Sequence, residues 1–299
     1  MGGRMAAALR RAGAASRAMK TPTILKASFA GLAFLVIGIE GRAQTSEPVA
    51  PVPTVVPVAK PVAAQPVATP VESLIKMGEV YDYKFQPTAA LKFYQDAEKI
   101  EPNNVRVLVR MARQYRHMAT DANSTAEKLR LGGIALDYAQ KAVAADPSNA
   151  EAYCSVAISY GKILPLQGKK EQAQATPRIR TAAEKAIELD PRNDLAWHVL
   201  GKWHRILADV GGVKRAFASA LYGGLPTGTN ADAVHCLQKA IQCNPRRPMH
   251  YLELGRTYAQ MENTAEAKRL IQKGLSMPNT DKDDPETKEK ARELLAQLK

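Results

Sequence analysis

The sequence predicts an all-α fold: a superhelix of about five antiparallel helix pairs, closed by a C-terminal capping helix. Three observations carry this expectation. An ending with alanine five residues before proline recurs at Ala97…Pro102, Ala142…Pro147, Ala186…Pro191 and Ala240…Pro245. An amphipathic stretch precedes each of these endings. Finally, aromatics are only 6% of the chain while Ala, Leu, Lys and Glu abound, a composition that favours helices.

The chain has 299 residues, 45% of them hydrophobic, three cysteines and a formal charge of +13. That length suffices for one large or two ordinary domains. The composition excludes a wholly disordered chain, a disulfide scaffold and a collagen-like fibre. Only one stretch is apolar enough to consider for a membrane, which excludes a polytopic membrane protein. The charge is uneven. Residues 1–43 carry seven cations against Glu40, or +6, which leaves a mild +7 for all the rest. A nucleic-acid reading weakens accordingly.

Residues 27–39, ASFAGLAFLVIGI, form an uncharged run of thirteen, short of the ~20 residues a spanning helix needs. Lys20 and Lys26 precede it and Gly41-Arg42-Ala43 follows. Basic start, short apolar core and small-residue exit predict a secretory signal peptide over residues 1–43, with Met19 an alternative start. The rivals are a mitochondrial transit peptide, since residues 1–39 hold several arginines and no acid, and an uncleaved anchor. Residues 44–72 hold Pro48, Pro51, Pro53, Pro57, Pro61, Pro66 and Pro70 among Val, Ala and Thr. Proline fixes φ and removes donors, so this segment is expected to be an extended, disordered spacer. The repeat domain is then residues 73–299.

The upstream half of each unit repeats as well. Leu74-x-x-Met77-Gly78-x-x-Tyr81 matches Leu108-x-x-Met111-Ala112-x-x-Tyr115. The pattern recurs from Tyr153 through Ala157 to Tyr160, from Trp197 through Gly201 to His204, and from Tyr251 through Gly255 to Tyr258. Spacings of three, one and three put these residues on one helical face, and the Gly or Ala admits a partner helix closely. Second halves such as Ala90…Tyr94…Ala97 and Ala233…Leu237…Ala240 supply that partner. This is the tetratricopeptide signature, two antiparallel helices per unit of about 34 residues. Asn263-x-x-Glu266 and Thr229-x-x-Asp232 read as N-terminal caps. Pro87, Pro177, Pro248 and Pro285 read as first helical residues.

Prolines 45, 44 and 54 residues apart mean that units two, three and four carry insertions between their helices. In unit two the surplus covers roughly His117–Lys128. In unit three it predicts a loop at Gln167–Lys170, and in unit four an extra helical segment at Val213–Leu221. The last helix, about Pro285–Leu298, should cover the exposed face of the final unit.

These enlarged units resemble the regulator of microtubule dynamics family. The resemblance lies in Trp197-His198-Val199-Leu200-Gly201-Lys202-Trp203, in Val213-Lys214-Arg215-Ala216-Phe217-Ala218-Ser219-Ala220-Leu221-Tyr222-Gly223 with the following Leu225-Pro226, in the Ala233…Lys239-Ala240 helix and in Leu254-Gly255-Arg256-Thr257-Tyr258. It spans about residues 73–299 and implies a non-enzymatic helical-repeat protein; animal members are associated with microtubules and with mitochondrial or endoplasmic-reticulum membranes. The leader and spacer depart from that family and look like those of a bacterial exported protein. With such a leader only the fold and the scaffold role carry over.

The chain offers little chemistry. Gly211-Gly212 and Gly223-Gly224 lack the Gly-Lys-Ser/Thr of a phosphate loop. The five histidines show no metal-ligand spacing, and His204 stands where other units have tyrosine, a packing position. Cys236 and Cys243 lie two helical turns apart, roughly 10 Å at the helical rise, beyond disulfide reach. With Cys154 they read as packed free thiols, which counts against an oxidising compartment. No nucleophile–base set can be nominated, so no enzyme, cofactor or metal is expected.

The inner face of such a superhelix is lined by residues one, five and eight or nine after the first large residue of each signature. In units two to five these are Val109, Arg113, Arg116 and His117; Cys154, Ile158 and Lys162; His198, Lys202 and Arg205; and Leu252 and Arg256, while unit one instead offers Ile75, Glu79, Asp82 and Tyr83. Arg113, Arg116, Lys162, His198, Lys202, Arg205 and Arg256 make it basic, with Glu151 and Glu253 close enough to neutralise part of it. Such a face suits an acidic, extended segment of a partner protein or a terminal carboxylate. The competing reading is an electrostatic binder of a polyanion: acidic polymer tails, acidic lipid or nucleic acid. Nucleic acid is not favoured, because aromatics do not interleave with the cations. Membrane contact would come only through an uncleaved leader. Sequencing the mature N-terminus is expected to find Gln44 first; a retained apolar run would overturn export.

Overall fold

The structure, a computed structural model, describes residues 69–298. The expected leader, and the spacer up to residue 68, lie outside the described residues. Among the described residues there are twelve α-helices and no strand. Helix α1 (Pro70–Tyr83) pairs with α2 (Pro87–Ile100), α3 (Val105–Asp121) with α4 (Thr125–Ala145), and α5 (Ala150–Ile163) with α6 (Lys169–Leu189). In unit four α7 (Asp194–Ala208) pairs with α9 (Asn230–Cys243), and α8 (Gly212–Tyr222) is inserted between them. The last pair is α10 (Pro248–Gln260) and α11 (Thr264–Ser276), followed by α12 (Asp284–Gln297).

The unit boundaries follow from local chemistry. Each recurrent proline comes one residue after the C-cap of a second helix (Glu101, Asp146, Asp190, Asn244) and cannot continue it. Asn104, Asn149 and Asn193 then cap the next helix by accepting from the amides of Val107, Ala152 and Ala196. Thr229 and Asn263 cap α9 and α11 as expected, accepting from Asp232 and Glu266 N–H. Pro87 and Pro248 open their helices, and Pro285 sits in the first turn of α12.

Three expectations need correction. Helix α1 begins at Pro70, inside the segment expected to be spacer, because proline suits a first helical turn as well as an extended one. Pro177 does not start a helix: it lies inside α6, which begins at Lys169, so Lys169 and Lys170 are helical rather than loop. Side chains brace the helix beside this proline. The Thr176 hydroxyl donates to the Gln172 carbonyl (2.6 Å), and the Trp203 indole N–H donates to the Thr176 carbonyl (2.9 Å). The surplus of unit two is carried by long helices, α3 and α4, at 17 and 21 residues.

The helix pairs close on the small residue of each signature. A Cβ added to Gly78 would collide with the Tyr94 ring, one on Gly201 would lie 2.7 Å from Leu237 Cγ, and one on Gly255 2.7 Å from Ile271 Cγ1. Where the first helix has alanine instead, at Ala112 and Ala157, the corresponding second-helix residue is the small Ala139 or Ala183, and all four are fully buried. Glycine thus meets a large side chain and alanine meets alanine. At the end of the stack, Ala291 of α12 packs on Leu252 and Ile271, with Leu294 and Leu295 beside it.

Helix α8 sits apart from this packing. Only its Ala218 is buried, while Val213, Phe217 and Leu221 stay exposed. The Arg215 guanidinium ties it down by donating to the carbonyls of Leu207 (2.8 Å) and Pro226 (2.9 Å). It ends at Gly223, whose φ of +78° suits a residue without a Cβ.

Gly201→Ala is expected to lose about 1–3 kcal/mol through overpacking. Leu237→Ala should then cost less in that background than in the unaltered chain. Denaturant unfolding of the four chains checks this, and strict additivity would sink the close-approach account.

Candidate functional site

The inner ends of the first helices enclose a cavity of about 480 Å³. Of the residues expected there, Val109, Arg113, Arg116 and His117 from α3 line it. So do Cys154, Ile158 and Lys162 from α5, and His198 and Lys202 from α7. Arg205 and Arg256 do not line it. They flank Glu253, with Arg205 Nε 2.7 Å and Arg256 Nη1 3.4 Å from its carboxylate oxygens. Burial pushes the Glu253 carboxyl up, but Arg205 and Lys202 outweigh it and hold the group down at about 2. Glu253 therefore engages two of the seven cations, offsetting one of their two charges, and those two join α7 to α10.

Three residues of the face have quite different surroundings. Arg116 is buried; its Nη1 donates to Ser155 Oγ (2.8 Å) and Ser159 Oγ (3.0 Å) of α5. No carboxylate lies within ion-pair distance among the described residues. Burial, with Arg113 adding to it, lowers this guanidinium to about 10. Lys202 is exposed and has no ion-pair partner among the described residues. Cys154 is a buried free thiol pushed up to about 12 by burial, so it packs and does not react.

Arg113 and Lys162 are met by the chain itself. The turn between α11 and α12 carries Asp281 and Asp283 across the inner face to units two and three. Asp281 Oδ2 is 3.3 Å from Arg113 Nη2, and its Oδ1 is 3.5 Å from His117 Nε2. Asp283 accepts from Lys162 Nζ (2.8 Å) and from the Thr120 hydroxyl (2.6 Å). Lys282 between them pairs with Asp121 at 3.0 Å. The turn is pre-formed by Asp284, whose carboxylate accepts from the amides of Thr280 (2.6 Å) and Asp281 (2.9 Å). Burial raises the Asp281 carboxyl, yet His117 and Arg113 hold it far below the usual carboxylate range. Periodicity could not find these contacts. The available signal was the run Asp281-Lys282-Asp283-Asp284, the counterpart in sign of the basic face.

His198 is not a free ligand-facing group. It is buried with its Nδ1 3.1 Å from His250 Nδ1, and His250 Nε2 lies 3.0 Å from Asp194 Oδ2. Arg247 Nε pairs with the same Asp194 oxygen at 2.7 Å. Of two facing Nδ1 atoms only one can carry the hydrogen, so the accepting ring is neutral; with His250 donating its Nε2–H to Asp194, a neutral His250 accepts at Nδ1 from His198. His204, as expected, packs: its ring meets the Trp203 ring edge-on at 4.9 Å. Among the described residues no His, Cys, Asp and Glu cluster could hold a metal ion, and no helix is long and apolar enough to cross a membrane.

Burial lowers His198 to about 3, and His250 shifts the same way. The folded chain then binds fewer protons than the unfolded one, so stability is lost as pH falls below about 6.5 toward 3. The thermal midpoint is expected to drop already between pH 6.5 and 5, before carboxylates titrate. A flat midpoint over that window would count against the neutral histidine pair.

Residues 74–299 match the family model described as Regulator of microtubule dynamics protein 1-3. Regulator of microtubule dynamics protein 1 of Bos taurus is 29% identical over 220 residues, 73% of this chain and 69% of that protein. Protein 3 of Xenopus laevis is 28% identical over 190 residues, 63% of this chain but 41% of its own length. Among solved structures, a thermophilic TPR protein of Thermus thermophilus superposes with a TM-score of 0.54 at 19% identity, over 74% of this chain and 98% of that one. The fold is that of a tetratricopeptide superhelix, and the chain belongs to the regulator of microtubule dynamics family.

Proposed function

We propose that this chain is a non-catalytic adaptor whose inner face grips an acidic, extended segment of a partner protein. The observation that carries the reading is the pairing of Arg113, His117 and Lys162 with carboxylates, Asp281 and Asp283, presented by a non-helical turn. The face already holds the kind of group that an acidic segment would offer. Val109 and Ile158 line the same cavity and supply apolar anchoring beside the charges.

The adaptor reading predicts capture of one partner that depends on two positions. Arg113→Glu combined with Lys202→Glu is expected to abolish recovery of the partner in pull-downs from native extract, with a retained helical circular dichroism spectrum as control. Capture that survives the double substitution would place the site elsewhere. Binding that falls steeply with salt and accepts any polyanion would favour the electrostatic reading instead.

A further inference from the structure

We propose that the turn Thr280–Asp284 is an internal stand-in for the partner, and that the partner segment displaces it with carboxylates on alternate residues. This rests on the adaptor reading above and names the chemistry of its ligand. Asp281 and Asp283 are two residues apart, and both carboxylates point at the inner face. The first meets Arg113 and His117, the second Lys162 and Thr120. An acidic segment with the same alternate spacing reproduces all four contacts.

Displacement is an exchange of like for like, because an incoming carboxylate restores the contacts that Asp281 and Asp283 give up. Asp283, 41% exposed against 21% for Asp281, is the more accessible of the two. The turn also leaves cations unmatched. Arg116 is nine-tenths buried, lines the cavity and has only serine partners for its guanidinium. Lys202, on α7, also lines it. Asp281 and Asp283 are spent on α3 and α5, and the chain sends no third carboxylate to either cation within ion-pair distance among the described residues. A segment with acids beyond the first pair therefore gains contacts that the internal turn lacks, and it wins by length.

The test uses a fluorescein-labelled peptide of alternating aspartate and serine, with an asparagine–serine peptide as control. Asp281→Asn combined with Asp283→Asn is expected to bind the aspartate peptide about tenfold more tightly than the unaltered chain, the factor for a site open a tenth of the time. The asparagine peptide should bind neither. In the unaltered chain, saturating aspartate peptide should speed amide exchange over residues 280–288, a readout that needs no substitution to fold. Equal affinity for both chains, or binding without faster exchange there, overturns the stand-in while leaving the adaptor reading intact. Binding to neither chain overturns both.

Discussion

The whole arrangement depends on how closely two helices can approach at one residue per unit. Leu237 and Ile271 reach the backbone of the facing helix because Gly201 and Gly255 present no side chain. Units two and three solve the same problem with two alanines. Both solutions keep a small residue at the contact, although the connections of the pairs differ in length. That constancy aligns the inner ends of α3, α5 and α7 and gathers cations from three separate units around one cavity.

Charge then decides what the gathered surface is. Some cations are paired inside the wall, as Arg205 and Arg256 are by the one carboxylate of Glu253. Others are met from across the cavity by Asp281 and Asp283. Arg116 stays charged without a carboxylate because two serine hydroxyls and a backbone carbonyl solvate part of it. A surface assigned from composition alone would read as uniformly basic; geometry divides it into structural, occupied and open positions.

Much of this was legible in residue spacing. The 3, 1, 3 signature located each first helix, and counting one, five and nine from Tyr153 reached Cys154, Ile158 and Lys162, which do line the cavity. Pro177 misled, because a proline can be tolerated mid-helix, and here Thr176 and Trp203 brace the helix beside it. His198 misled in another way. Its position on the helix was right, but its partner His250 lies 52 residues on, and a face assignment does not say what stands opposite. The same limit hid the crossing of Asp281 to Arg113, a separation of 168 residues.

That crossing alters the kind of object the repeat array is. In an open stack each unit touches only its neighbours, and the ends fray first. Here the segment after the fifth pair is fastened to the second and third, so the C-terminal end is not free. The C-terminal segment is thus joined to units two and three by contacts that run outside the helix stack as well as through it.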